Sequence, residues 1–119
     1  MKKILIVDDA TTVRKYERQL VEEMGFGAEE AINGIEALEK ILNERFDLLL
    51  VDINMPKMNG YELVREIRKN PELMEIPVVM ISTEASQEDK IKAYEAGANF
   101  YIVKPIRPET LRSLLNILC

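Results

Sequence analysis

Leu48-Leu49-Leu50-Val51-Asp52-Ile53-Asn54-Met55-Pro56 is the stretch on which the fold turns. Four consecutive apolar residues run into an acid, and a proline follows four residues later. A short apolar run ended by turn chemistry reads as a strand buried on both faces. Asp52 then stands at the carboxyl end of that strand, the edge where open parallel sheets bind ligands. It is the candidate reactive residue.

Other segments repeat the pattern. Ile4 to Val7 is an apolar run ending in Asp8-Asp9, and the strand around Asp52 extends from Asp47. Ile76 to Ile81 is a further buried run with Pro77 near its start, ended by Ser82-Thr83. Phe100 to Val103 ends at Lys104-Pro105, while Ala28 to Ile32, with two adjacent glutamates, reads as an edge strand.

Helical stripes fill the intervals. Thr11 or Thr12 caps a helix carrying Val13, Leu20, Val21 and Met24, which Gly25 stops. Asn33 and Glu36 form a capping-box pattern ahead of Ile35, Leu38, Ile41 and Leu42. Asn59-Gly60-Tyr61-Glu62 repeats it before Leu63, Val64 and Ile67, and Asn70-Pro71 closes that helix. Ser86 and Asp89 cap a helix that turns Ile91 and Tyr94 inward and ends at Gly97. Pro108 suits the first turn of a last helix with Leu111, Leu114, Leu115 and Leu118 inside. Alternating strands and helices predict an α/β fold, a parallel sheet with helices on both faces. Right-handed crossovers favour the flavodoxin-like strand order 2-1-3-4-5. Residues 1–119 form a single domain.

Composition narrows the chemistry. There is no histidine, which removes Ser-His-Asp and Cys-His catalysis and histidine-ligated metals. The single cysteine, Cys119, allows no internal disulfide or cysteine-based zinc site. A net charge of −5 argues against direct nucleic-acid binding. No apolar window reaches the roughly 18 residues of a membrane span. Met1-Lys2-Lys3 is followed by only four apolar residues before two acids, unlike a signal peptide, so a cytoplasmic location is expected.

The residues at the strand ends carry the chemistry: Asp8, Asp9, Asp52, Ser82, Thr83 and Lys104. Neighbouring strands lie about 4.8 Å apart, so one small cation would touch both Asp9 and Asp52. Oxygen donors without histidine or cysteine select a hard ion, and Mg²⁺ fits best. Lys104 supplies a second positive charge. A carboxylate held between a divalent ion, an ammonium and a hydroxyl is placed to accept a phosphoryl group. Each residue also has a plain reading: Asp8-Asp9 as a helix cap, Ser82 as a turn hydroxyl, Tyr101 as packing, Lys104 as a solvated charge. Met55, Met58 and Met80 read as loop and core packing.

The chain resembles the response-regulator receiver domains, in particular the stand-alone chemotaxis kind. The matching pieces are Val7-Asp8-Asp9, Val51 to Pro56 with Asn59-Gly60, Ile81-Ser82-Thr83-Glu84-Ala85, and Tyr101 to Pro105, in order and at matching spacing. The resemblance implies that Asp52 is the phosphoacceptor, supplied by a sensor histidine kinase. It implies that Asp9 binds Mg²⁺ directly, Asp8 mostly through water, and Asn54 through its backbone carbonyl. Lys104 would contact the phosphoryl group, and Lys104-Pro105 would be a cis peptide. Ser82, in place of the commoner threonine, would be the switch hydroxyl and Tyr101 its aromatic partner. Thr83 stands where a small residue often sits, which bears on access to the phosphoaspartate.

The same resemblance implies that the surface of the fourth helix, fifth strand and fifth helix changes on phosphorylation. It would then control a downstream protein, such as a flagellar motor switch component. The chain would catalyse only its own phosphorylation and dephosphorylation. It ends at Cys119 with no DNA-binding or catalytic domain, so output by protein contact is expected; a receiver cut from a longer regulator is the alternative. A haloacid-dehalogenase-type phosphatase would need a second acid where Asn54 stands. A pseudo-receiver would have lost an acid or the lysine, and a flavodoxin-like nucleotide binder would carry a glycine-rich loop where Asp9-Ala10-Thr11-Thr12 stands.

Overall fold

A computed structural model describes residues 2–119. Five strands alternate with five helices: β1 (Lys3–Val7), α1 (Thr11–Glu23), β2 (Gly27–Ala31), α2 (Gly34–Asn43), β3 (Leu48–Asp52), α3 (Gly60–Lys69), β4 (Val78–Ser82), α4 (Gln87–Ala96), β5 (Phe100–Val103) and α5 (Pro108–Leu118). The strands form one parallel sheet in the order β2-β1-β3-β4-β5, as the alternation predicts. Every residue of β3 and β4 is buried, which is why both read as unbroken apolar runs.

Side-chain alternation along the strands divides the core in two. Leu5, Val7, Leu49, Val51, Val78 and Met80 pack with α2, α3 and α4. Ile4, Ile6, Leu48, Leu50, Val79 and Ile81 pack with α1 and α5. A strand buried on both sides has no polar face to spare, so its first polar residue marks the point where it leaves the core.

The caps of α2, α3 and α4 form as the sequence predicts. Asn33 accepts from the Glu36 amide at 2.8 Å, Asn59 and Glu62 complete a reciprocal capping box, and Ser86 accepts from the Asp89 amide at 3.2 Å. Gly25 and Gly97 take the positive φ that ends α1 and α4.

Several local expectations are corrected. Neither Thr11 nor Thr12 caps α1; Ala10 is the N-cap with no side-chain bond, and its own N–H goes to Asp8 Oδ1 at 2.9 Å. In α4, Ile91 and Tyr94 are about half exposed, while Ala93 and Ala96 face the sheet. Small side chains let the helix sit close to β5, so the larger ones lie outside. Ile35 and Leu42 of α2 are also exposed, and the packing falls to Ala37 and Ile41. β2 is one residue earlier than expected, leaving Ile32 outside. β4 starts after Pro77 and takes in Ser82. Asp47 lies outside β3, where its carboxylate accepts from the Lys3 amide at 2.8 Å.

Candidate functional site

The register brings the polar strand ends together. Val7 pairs with Val51, so Asp8 and Asp52 leave neighbouring strands side by side. Asp52 pairs with Ile81, placing Ser82 one step beyond it, and Ser82 pairs with Val103, placing Lys104 one step further. Asp8, Asp9 and Asp52 each offer a carboxylate oxygen within 4.8 Å of the others. Asp8 and Asp52 are buried and Asp9 is exposed, so the cluster opens to solvent on the Asp9 side.

Lys104 reaches back across two strands. Its Nζ lies 2.9 Å from Asp52 Oδ1 and 2.9 Å from Asp8 Oδ2. The peptide between Lys104 and Pro105 is cis. Burial, first of all, pushes the Asp52 carboxyl above its ordinary value; the Lys104 hydrogen bond opposes this, and the charges of Asp8 and Asp9 reinforce it. For Lys104, burial alone would lower the ammonium, but its hydrogen bonds to Asp52 and Asp8 prevail and hold it above the ordinary lysine range. Three carboxylates face one ammonium, so the ionised site carries two uncompensated negative charges. An all-oxygen donor set with that deficit fits a hard divalent cation.

Of the remaining sequence candidates, Ser82, Thr83 and Asn54 adjoin the ends of β4 and β3, while Tyr101 lies within β5 opposite Met80. Ser82 is almost wholly buried, and its Oγ accepts from the Glu84 amide at 3.1 Å. Thr83 and Asn54 are exposed at the mouth of the site. Tyr101 packs against the α2–α4 side of the core, and its hydroxyl donates to the Glu84 carbonyl at 2.7 Å. Met55 and Met80 are buried and Met58 packs against the same side of the core, as expected. Gly60 lies so close to the end of β3 that a Cβ there would fall 2.7 Å from the Asp52 carbonyl oxygen. Its own N–H donates to the Ile53 carbonyl at 2.9 Å.

Three ionisable residues near the site escape sequence reasoning. Arg14 and Glu17 of α1 are buried on the face that also carries Leu20 and Val21. Glu30 of β2 gathers Arg14, Lys15 and Arg18. Burial raises the Glu17 carboxyl to about 8, with Asp8 and Asp52 adding to the effect and Lys104 opposing it. Glu30 behaves in the opposite way: burial would raise it, but hydrogen bonds from Arg18, Lys15 and Arg14 bring it down to about 2. The available signal was the spacing of Arg14, Glu17 and Val21, which continues the buried stripe through charged positions.

Comparison with known proteins agrees with this geometry. The sequence matches the response regulator receiver domain over residues 4–116. It is 44% identical over 115 residues to the chemotaxis protein CheY-3 of Vibrio cholerae, covering 96% of this chain and 88% of that one. The structure of Vibrio cholerae chemotaxis protein CheY4 superposes with a TM-score of 0.93 at 37% identity, covering 100% of this chain and 99% of that one. The receiver domain of a Pseudomonas aeruginosa sensor histidine kinase, with a magnesium ion coordinated in its active-site cleft, superposes with a TM-score of 0.91 at 26% identity, covering 98% of this chain and 96% of that one. With its strand order, its edge of acids and lysine and nearly its whole length accounted for, the chain belongs to the response regulator receiver domain family, of the CheY type.

Proposed function

We propose that Asp52 is the phosphoacceptor of a two-component signalling pathway. The observation that carries this reading is the Lys104 ammonium at 2.9 Å from Asp52, beside the paired acids Asp8 and Asp9. A carboxylate oxygen of Asp52 attacks the phosphorus of a kinase phosphohistidine. The P–N bond breaks as the O–P bond forms, and the imidazole leaves with a proton from solvent. Lys104 turns from the carboxylates to the phosphoryl oxygens, where negative charge gathers.

In this reading Asp9, Asp52 and the Asn54 carbonyl would hold Mg²⁺, with Asp8 acting mostly through water. The ion would supply positive charge to the phosphoryl oxygens. The magnesium-bearing receiver of the Pseudomonas kinase supports this assignment. Ser82 then binds the phosphoryl group, Tyr101 follows it, and Thr83 controls approach from solvent. The surface of α4, β5 and α5 carries the altered state to a protein target.

Residues 1–119 act as one receiver unit in the cytoplasm, with no nucleic-acid or membrane contact. The unit turns over no separate substrate. The chemotaxis names of the relatives support a chemotaxis role, with a chemotaxis-type histidine kinase as the proposed donor and a flagellar motor switch component as the proposed target. Intact-mass measurement after treatment with a small acyl phosphate tests the reading. The wild type should gain one phosphoryl group only with Mg²⁺ present, and Asp52→Asn should gain none. An unchanged wild-type mass, or equal gain in the variant, overturns it.

A further inference from the structure

All the polar groups of Asp8 are engaged. Its N–H donates to the Ala31 carbonyl at 3.1 Å, Oδ1 accepts from Ala10 at 2.9 Å, and Oδ2 accepts from Lys104 at 2.9 Å. Its carbonyl oxygen accepts from Arg14 Nη1 at 2.8 Å. The side chain of Arg14, in turn, is buried and has no freedom of its own. Nε donates to Glu30 Oε1 at 3.0 Å and Nη2 to Thr11 Oγ1 at 3.3 Å, so the guanidinium plane is fixed on three sides. Glu30 is fixed as well, by Lys15 and Arg18 at its other oxygen.

We propose that Arg14, oriented by Glu30, is a positioning residue for the acid pair: by holding the Asp8 carbonyl it sets the turn that aims the Asp8 and Asp9 carboxylates at Asp52, and so sets the affinity of the site for its divalent cation. This rests on the phosphoacceptor reading above. Three features favour this role over simple packing. The guanidinium is spent on a backbone carbonyl of a ligand residue rather than on solvent. The helix buries its two charged side chains, Arg14 and Glu17, in the half that follows the acid pair, and the same face turns apolar at Leu20 and Val21. Glu30 has two other cations to neutralise it, so its pairing with Arg14 orients that side chain and is not needed to balance its charge. Arginine suits the task because its planar fork serves two acceptors at once, whereas lysine is a single flexible point charge. Partners one shell out from a metal ligand typically change affinity by about 10–100-fold when removed.

The test compares wild type with Arg14→Met, Arg14→Lys and Glu30→Gln, with Val21→Ala as a control that loosens the same helix without touching Asp8. Mg²⁺ titrations followed by backbone-amide NMR give the dissociation constant. Acyl-phosphate labelling at saturating Mg²⁺ gives the phosphorylation rate. Arg14→Met should weaken Mg²⁺ binding by roughly tenfold while the saturated rate changes by no more than about twofold. Arg14→Lys should recover part of the affinity, Glu30→Gln should lose a smaller part, and Val21→Ala should bind as wild type does.

The proposal is overturned if Arg14→Met binds Mg²⁺ like wild type, or if Val21→Ala weakens binding equally. Should Arg14→Met fail to fold, Arg14→Lys and Glu30→Gln decide the matter by the same titration, unchanged affinity in both refuting it. A wild type that takes up neither Mg²⁺ nor phosphate would instead refute the phosphoacceptor reading.

Discussion

Tyr101 and Glu84 are joined by a 2.7 Å hydrogen bond from the phenol hydroxyl to the backbone carbonyl. The N–H of the same residue is held by Ser82 Oγ at 3.1 Å. Both proposed switch side chains therefore grip one peptide segment, from opposite ends of its polarity. In the proposed switch, a Ser82 side chain drawn to a phosphoryl oxygen would give up the Glu84 amide, one of the two contacts that hold that residue. The Tyr101 hydrogen bond to the same residue would then be free to rearrange. A phosphate mimic should shift the NMR signals of Asp52, Glu84, Tyr101 and α4 together in wild type. In Ser82→Ala, shifts near Asp52 should persist while those of Tyr101 and α4 shrink by more than half. Equal shifts in both proteins would break the proposed coupling.

Lys104 is predicted to have opposing effects on the two events at the site. Its ammonium occupies Asp8 and Asp52 in the resting chain, where it competes with an incoming cation. Lys104→Met should therefore bind Mg²⁺ several-fold more tightly. Its phosphorylation at saturating Mg²⁺ should nevertheless slow by about 10²–10³-fold, the usual cost of deleting a charge-stabilising donor. The same titration and labelling experiments check both values; a fall in both would show that Lys104 mainly supports the fold.

Glu17 makes stability fall as pH rises. Its carboxyl is raised from 4.5 to about 8, so the folded chain keeps a proton that the unfolded chain has released. Stability from this group is complete below pH 4.5 and is lost as pH climbs toward about 8. A tenfold difference in proton affinity between the two states corresponds to about 1.4 kcal/mol, so the buried carboxyl accounts for several kcal/mol across this range. Glu17→Gln should thus be nearly neutral at pH 5 and more stable than wild type by a few kcal/mol at pH 8.5. Urea denaturation in the presence of a chelator measures this; parallel pH curves for the two proteins would refute it.

The sheet order and the polar strand ends were legible because buried parallel strands leave a simple mark, an apolar run that stops at an acid or a hydroxyl. Asp52, Asp8, Ser82 and Lys104 meet at one edge for that reason. The face of α4 was not legible: Ile91 and Tyr94 follow helical spacing as well as Ala93 and Ala96 do, and only the distance to β5 selects the smaller pair. Arg14 and Glu17 were hidden by the opposite problem. Hydrophobic periodicity passes over charges, and their burial depends on partners in β2 and in the acid cluster that no local pattern reveals. The capping of α1 failed similarly, because Asp8 ties up the Ala10 amide first.

The missing side chain of Gly60 has a mechanical consequence. With no room for a Cβ beside the Asp52 carbonyl and with its amide bonded to Ile53, Gly60 closes the α3 side of Asp52. On the opposite flank, Asp52 is bordered by Ser82 and the exposed segment beyond it, which is held at Glu84 by two hydrogen bonds. A group added to Asp52 would thus meet different surroundings on its two sides. On the proposed reading the added group would find its room on the β4 side, and the close approach at Gly60 would set the direction in which the signal leaves.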